Sequence, residues 1–252
     1  DLQGLRRSAA WVYSSGARVK AGRGARRPGW AAAITPDLSR HAVRVCADTI
    51  ERLGVPVLSL DPEIVTDAQD DQALDAVLRA RGLPSSGFVV VNPFSRWLSK
   101  DWPETEAAVV TARIARDLRA IVIVSGGSEE RARGAALARR IGRGDVVSLA
   151  GALTLGQALC LYRRARVMVS CDSGPMHAAA ALGTPVVALF GPTLPERTGP
   201  WGPAHRVIQA SRPDHHHAYR TADGLRHMQA LDPDAVFEAI RDAVRAPAPV
   251  PI

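Results

Sequence analysis

The chain has 252 residues, of which 46% are hydrophobic and 23% are charged. This is the composition of a globular protein and excludes wholesale disorder or a collagen-like repeat. It contains no uncharged apolar run of about 18 residues, so no transmembrane segment is expected. The three cysteines are too few, and odd in number, for a disulfide scaffold, which favours a reducing compartment.

The net charge of +7 is concentrated at the start of the chain. Residues 1–52 carry ten Lys and Arg against four Asp and Glu, whereas the remaining 200 residues are close to neutral. Such a segment favours an anionic partner, which could be nucleic acid, a lipid surface or a phosphorylated substrate, although a solvated surface is the commoner reason. Since no aromatic series, zinc spacing or helix-turn-helix accompanies it, we expect no nucleic-acid partner.

Before residue 85 the pattern predicts helices over about 37–53 and 70–81 and few strands. Residues 82–87, Gly-Leu-Pro-Ser-Ser-Gly, have the composition of a linker. Beyond it, strands are predicted at 88–92, 121–124, 146–149, 167–170, 186–190 and 206–209. Helices are predicted between and after them at 103–118, 129–141, 154–164, 175–182 and 233–245. This alternation predicts an α/β fold with a doubly wound parallel sheet.

The strongest motif is Ser170-Cys-Asp-Ser-Gly-Pro-Met-His177, at a predicted strand-to-helix turn. The free N–H groups at such a helix start carry partial positive charge and suit a phosphate. Gly174 allows close approach of a ligand to the backbone. Asp172 can accept hydrogen bonds from sugar hydroxyls, and His177 can donate to a phosphate oxygen. A tight turn with a capping aspartate is an equally weighted alternative.

A second motif is Asn92-Pro-Phe-Ser-Arg-Trp-Leu-Ser-Lys-Asp-Trp-Pro103, again between a strand and a helix. Ser95 and Lys100 could hold a pyrophosphate from the opposite side, with Trp97 and Trp102 packed around it. A lone loop lysine is usually only solvated. A rare lysine between two tryptophans at the end of a strand favours a function.

Two further loops follow predicted strands. In Ser125–Glu130 the carboxylates of Glu129 and Glu130 could accept hydrogen bonds from ribose hydroxyls, although an acidic first helical turn is a strong alternative. Rigid Gly- and Pro-rich loops cover 190–195 and 198–202. Because ligands of open α/β sheets bind at the carboxyl ends of the strands, the joint placement of all these loops predicts a ligand site there.

The run His215-His-His217 suggests a metal site at first reading. Adjacent histidines in a loop rarely reach one ion together, and no carboxylate or cysteine spacing completes a site. We therefore expect no metal there.

Together these motifs resemble glycosyltransferase family 9, the bacterial heptosyltransferases that build the inner core of lipopolysaccharide. The resemblance is carried by Lys100-Asp-Trp-Pro103 and by segments 1–8, 148–154, 172–183 and 185–193. It implies a GT-B fold of two Rossmann-like doubly wound domains, the first incomplete. Residues 1–85 would be the partial acceptor domain and 86–252 the nucleotide-sugar domain, with the last helix, 233–245, able to pack back on the first domain.

The resemblance also implies inverting transfer of heptose from ADP-heptose to a Kdo or heptose residue of the inner core, without a metal or other cofactor. The protein would be cytoplasmic, at most peripheral at the inner face of the inner membrane. A nucleotide-sugar-binding fragment that performs no transfer is one alternative. A GT-B transferase or epimerase that uses another nucleotide sugar is a second.

The resemblance also implies binding roles for residues in these loops. Those assigned to the donor are Ser95, Lys100, Glu129, Glu130, Leu149, Gly151, Asp172, Ser173, Gly174 and His177. Lys100 and Ser95 would hold the pyrophosphate, and one of the two glutamates the ribose. Asp172 would bind heptose hydroxyls, while Ser173, Gly174 and His177 would frame the phosphates. The loop Leu149–Gly151 would border the adenine, and Arg7 and Arg26 would face the acidic acceptor.

Two departures from the family pattern matter. Ser173 stands where threonine is more usual. The family's catalytic base is an aspartate after an early strand, and no residue matches it, so we expect it upstream of Asp1. A first domain truncated in this way predicts poor solubility or dimerisation of the chain.

Overall fold

A computed structural model describes residues 2, 5–24, 27–37, 39–214, 218–221 and 224–246. The chain forms two compact units. The first comprises Asp1–Asp61, to which Glu196–Thr198 of the short helix α8 (Pro195–Thr198) also belong. The second comprises Pro62–Pro195 and Gly199–Ile252.

The first unit contains helices α1 (Arg6–Ser14) and α2 (Ala42–Glu51) and the parallel strands β1 (Ala21–Arg23) and β2 (Ala32–Ile34). Helix α2 begins later than the predicted start near residue 37, because His41 is the N-cap and its side chain accepts a hydrogen bond from the Val43 N–H. Helix α1 was not predicted: its N-cap position is Leu5, which lacks the polar side chain that marks a helix start. The buried side chains are few; Trp30 and Val45 are among them.

The second unit is built on a six-stranded parallel sheet in the order β5-β4-β3-β6-β7-β8. The strands are β3 (Val89–Asn92), β4 (Val122–Val124), β5 (Val146–Ser148), β6 (Val167–Cys171), β7 (Val186–Phe190) and β8 (Arg206–Gln209). The helices are α3 (Ala68–Ala80), α4 (Glu104–Asp117), α5 (Arg131–Ile141), α6 (Leu155–Arg164), α7 (Gly174–Ala181), α9 (Gly224–Gln229) and α10 (Pro233–Arg245). All six predicted strands are confirmed, with small shifts at their ends. The order reverses between β3 and β6, which makes this the topological switch point of the sheet.

Continuous apolar sequences explain the sheet. Every residue of β3, β6 and β7 is buried, as expected for parallel strands with helices on both faces. One face packs against α4 and α10 and the other against α3, α6 and α7. Two layers of helices thus fix the strand ends, from which the site loops emerge.

The division into compact units differs from the domain boundary that the sequence predicts. The division between the compact units lies at Asp61/Pro62 rather than at 85/86. Helix α3 belongs to the second unit because Leu74 and Leu78, both buried, pack in the core under the sheet. The last helix, α10, buries Val236 and Ile240 in the core of the second unit. That it can also pack back on the first domain stays a prediction.

Candidate functional site

Asn92 connects the two loops at the switch point. It is the last residue of β3 and is only 1% exposed. Its Nδ2 atom donates to the Phe94 carbonyl (3.1 Å) and to the hydroxyls of Ser170 (3.4 Å) and Ser173 (3.3 Å). Its buried Oδ1 atom has no hydrogen-bond partner among the residues that the structure describes. The amide therefore holds the loop after β3 against the loop after β6.

Lys100 and Asp172 meet between these loops. The Lys100 Nζ atom lies 3.1 Å from Asp172 Oδ2, and the two side chains are only 15% and 10% exposed. Lys100 ends a short 3₁₀ helix, Leu98–Lys100, and Asp172 directly follows β6. The two motifs are therefore in contact through this ion pair. One is the motif predicted to hold a pyrophosphate, and the other is the motif predicted to hold a sugar.

An aromatic cluster flanks the ion pair. The Lys100 ammonium lies 5.5 Å from the centre of the Tyr219 ring, and Tyr219 meets Trp97 edge-on with ring centroids 5.3 Å apart. Ser99 donates from its hydroxyl to the Tyr219 carbonyl at 2.6 Å. Arg220 lies over both rings. Tyr219 is missing from the sequence-based set because no motif surrounds it and it is far along the chain from Lys100.

The start of α7 is open at its first residue. Gly174 begins the helix, and a Cβ atom added there would meet no atom within 4 Å. Its φ is not in the left-handed region that requires glycine. The N-cap residue, Ser173, does not cap the helix and instead lies 3.2 Å from the Ser170 hydroxyl. Neither packing nor backbone geometry requires glycine at 174, whereas close approach of a ligand to the helix N–H groups would.

The loop after β4 and the loop after β3 border one open cleft of about 640 Å³. Its lining residues are Ser95, Arg96, Leu98, Glu129, Glu130 and Arg133. The structure thus brings together Ser95 and both predicted ribose ligands. The two glutamates differ, because Glu130 accepts a hydrogen bond from the Gly127 N–H at 2.7 Å and closes its own turn. Glu129 is exposed at the edge of the cleft.

Asp101 supports the wall of this cleft. It is 4% exposed, accepts a hydrogen bond from the Ser95 N–H at 2.6 Å, and pairs with Arg133 at 2.8 Å. Burial raises the pKa of its carboxyl above the usual range, although the bonds from Arg133 and Ser95 oppose the shift. Asp101 therefore fixes the backbone at Ser95.

The loop Leu149–Gly151 follows β5 and is held by backbone hydrogen bonds. The Leu149 side chain is 1% exposed and lies in the core. Gly151 has a φ of +67° and donates from its N–H to the Gly126 carbonyl at 2.9 Å. That the loop Leu149–Gly151 borders the adenine stays a prediction, and the buried Leu149 side chain leaves the backbone of the loop as the part that could do so.

The thiol of Cys171 lies next to the site and is unsuited to nucleophilic chemistry. It is fully buried and donates to the Asn92 carbonyl at 3.6 Å. Burial raises its pKa to about 12, so it is protonated at neutral pH. Its contribution is to packing between β6 and β3.

The remaining predicted residues lie on helices α1 and α7 or outside the described residues. His177 is exposed on α7, one turn from Gly174, and Arg7 is exposed on α1 of the first unit. Arg26 and His215–His217 lie outside the described residues. In the ranges that the structure covers, no group of three or more His, Cys, Asp or Glu side chains is placed to hold a metal ion. None of the helices in those ranges has the length and hydropathy of a membrane-spanning segment.

Comparison with known families decides the assignment. The family model described as glycosyltransferase family 9 (heptosyltransferase) matches residues 1–225. The chain belongs to glycosyltransferase family 9. The family resemblance noted in the sequence is therefore confirmed over most of the chain.

Individual relatives agree with this. Lipopolysaccharide heptosyltransferase 1 of Pseudomonas aeruginosa is 31% identical over 132 residues, which are 52% of this chain and 36% of that protein. Lipopolysaccharide heptosyltransferase 2 of Escherichia coli K12 is 38% identical over 97 residues, which are 37% of this chain and 27% of that protein. The chain thus spans about a third of the length of these curated relatives.

Solved structures confirm the fold. A family 9 glycosyltransferase from Veillonella parvula superposes with a TM-score of 0.80 at 21% identity, over 96% of this chain and 72% of that one. The ADP-heptose lipopolysaccharide heptosyltransferase II of E. coli superposes with a TM-score of 0.74 at 22% identity, over 96% and 75%. The predicted α/β fold of the GT-B type is confirmed.

Proposed function

We propose that the second unit binds a nucleotide sugar, ADP-heptose, at the carboxyl edge of its sheet, for inverting transfer of heptose to the lipopolysaccharide inner core. The observation that carries this proposal is the meeting of Lys100 and Asp172 at 3.1 Å at the switch point of a family 9 chain. Lys100 is a cation that can bind a diphosphate, and Asp172 can accept hydrogen bonds from sugar hydroxyls. Both lie at the edge of the sheet where open α/β sheets bind nucleotides.

The diphosphate is the part of the donor with the best-defined partners. Lys100 supplies a positive charge that is mostly withdrawn from water, and the open start of α7 at Gly174 supplies free N–H groups and the positive end of the helix dipole. Ser95, Ser173 and His177 complete the set. These groups also stabilise the charge that develops on departing ADP, so the proposed transfer proceeds without a metal or other cofactor.

In the proposed reaction an acceptor hydroxyl attacks the anomeric carbon of the heptose from the face opposite ADP. A new bond forms between the acceptor oxygen and the anomeric carbon, and the bond from that carbon to the phosphate oxygen breaks. Its electron pair leaves with ADP, and the hydroxyl proton passes to a carboxylate base. Asp172 orients the sugar through its hydroxyls. We assign no general base among the described residues.

In this proposal the nucleoside occupies the cleft of about 640 Å³ that Ser95 helps to line. Glu129 is the better candidate for the ribose hydroxyls, because Glu130 already accepts the Gly127 N–H. The backbone of Leu149–Gly151 borders the adenine. The ribose assignment rests on the Glu129 carboxylate, which is exposed at the edge of the cleft.

The acceptor is proposed to be the Kdo or heptose region of the inner core, which is anionic. The basic first segment, with ten Lys and Arg against four Asp and Glu in residues 1–52, has the complementary charge, and Arg7 and Arg26 lie in it. The same charge would favour a cytoplasmic protein that is peripheral at the anionic inner face of the inner membrane.

Calorimetric titration of the chain with a panel of nucleotide sugars tests the proposal. We expect ADP-heptose to bind more tightly than ADP-glucose, GDP-mannose or UDP-glucose, because both the base cleft and the sugar contact at Asp172 must be satisfied together. Equal affinity across the panel, or no saturable binding of ADP-heptose, would contradict it.

A further inference from the structure

The ion pair at the centre of the site affects how a diphosphate is bound. Lys100 is the partner that the structure gives to the Asp172 carboxylate, at 3.1 Å, and the two side chains are only 15% and 10% exposed. Solvent and salt screen such a pair weakly. A diphosphate that approaches Lys100 therefore meets a negative charge within one hydrogen-bond length of the ammonium.

The ion pair is expected to affect the binding of a free nucleoside diphosphate differently from the binding of a nucleotide sugar. A free diphosphate competes with Asp172 for Lys100 and is repelled by the carboxylate. If Lys100 turns toward the phosphates, a mostly buried carboxylate loses its partner, which is unfavourable. A nucleotide sugar brings hydroxyl donors that can take the place of the ammonium on Asp172. Only the sugar-bearing ligand satisfies both residues.

We propose that Asp172 is a specificity residue that makes the site disfavour free ADP relative to the sugar-bearing donor, by opposing the charge of Lys100. This inference rests on the proposed function and deepens it. The negative charge of Asp172 also acts after the transfer. The ADP that is left no longer carries the sugar whose hydroxyls bound Asp172, so the repulsion between Asp172 and the diphosphate favours release of ADP.

Calorimetry with ADP and ADP-heptose, on the chain and on Asp172→Asn, tests this. We expect the substitution to tighten ADP about tenfold and to weaken ADP-heptose about tenfold, the size typical for hydrogen bonds to charged groups. The matched control is Glu129→Gln, which removes another carboxylate of the site without touching Lys100. It should change both affinities by the same factor and leave their ratio unaltered.

Two additions keep the test decisive. Asp172→Ser is a second variant without the carboxylate, and thermal unfolding of each variant shows whether it is folded. A folding defect in Asp172→Asn would thus be recognised. In a Lys100→Ala background, Asp172→Asn should no longer tighten ADP, because the interaction that it relieves is absent. Weaker or unchanged ADP binding by Asp172→Asn overturns the inference while leaving the donor site in place. Failure of the unsubstituted chain to bind either nucleotide would overturn the proposed function as well.

Discussion

Tyr219 shows how a residue outside every motif can shape the site. Its ring lies 5.5 Å from the Lys100 ammonium and its carbonyl accepts from Ser99. A cation over an aromatic face is held by the ring quadrupole, with a typical worth of about 0.5–2 kcal/mol that grows with desolvation. Tyr219 is therefore a positioning residue for Lys100.

Replacement of Tyr219 by leucine should weaken ADP-heptose binding several-fold, because Lys100 loses the ring whose centre lies 5.5 Å from its ammonium. Tyr219→Phe keeps the ring face and should restore most of the affinity. Calorimetry on both variants provides the measurement. Equal losses in the two variants would show that the hydroxyl or the fold, rather than the ring, is responsible.

At the residue scale, Lys100 and Asp172 can be selected from the sequence because a charged side chain at the end of a buried strand has few structural reasons to be there. The structure brings the two together, and their contacts with a ligand stay predictions. Tyr219 and the amide of Asn92 could not be found in this way. Their roles depend on contacts with Ser99, Lys100 and Ser173 that only the folded chain creates.

At the scale of elements, the buried strands were predictable because a strand covered on both faces must be apolar throughout. Helix α3 was predicted as a helix, but its place in the second compact unit was not predicted. The Gly, Pro and Ser content of 82–87 indicated a linker, whereas it is the connection between α3 and β3. Which sheet a helix covers depends on its apolar face, here Leu74 and Leu78.

The placement of α3 predicts that Leu74→Ala destabilises the second unit by about 2–5 kcal/mol, through lost burial and the cavity that is left. Leu58→Ala is the control, since Leu58 is 95% exposed and its loss should change the unfolding free energy by less than about 0.5 kcal/mol. Denaturant unfolding followed by a tryptophan signal checks both. Similar midpoints for the two variants would place α3 outside this core.

His205 makes the free energy of unfolding of the second unit depend on pH. Its Nδ1 atom accepts from the Val186 N–H at 3.3 Å and its Nε2 atom lies 3.0 Å from the Trp201 carbonyl, to which it donates. Burial lowers the pKa of this histidine below its ordinary value of 6.5. The neutral ring therefore favours folding above pH 6.5. That contribution is lost as the pH falls toward the folded-state pKa, because the unfolded chain takes up the proton first.

Unfolding free energies measured between pH 7.5 and about 5 should consequently fall more steeply for the chain than for His205→Asn. The asparagine side chain can still accept from the Val186 N–H but does not titrate. The same pH slope in both proteins would mean that other groups cause the acid sensitivity.

At the scale of the whole molecule, charge and chemistry are divided between the units. The basic excess lies in residues 1–52, and the residues proposed to bind the donor lie beyond residue 90. Composition alone indicated an anionic partner and a globular chain but no reaction. The joint placement of loops at one sheet edge predicted a ligand site there, and the family match over residues 1–225 supports the proposal that the ligand is a nucleotide sugar.

The central claim is that Lys100 holds the diphosphate of the donor, and the lysine content of the chain allows a direct test. Lys20 is the other lysine of the sequence and lies in the first unit. Calorimetric titration of ADP-heptose into Lys100→Ala and Lys20→Ala compares two identical charge deletions. The account predicts that affinity falls at least about tenfold in Lys100→Ala, as expected for a lost charge-assisted hydrogen bond, and is unchanged in Lys20→Ala. Equal affinities in the two variants would contradict it.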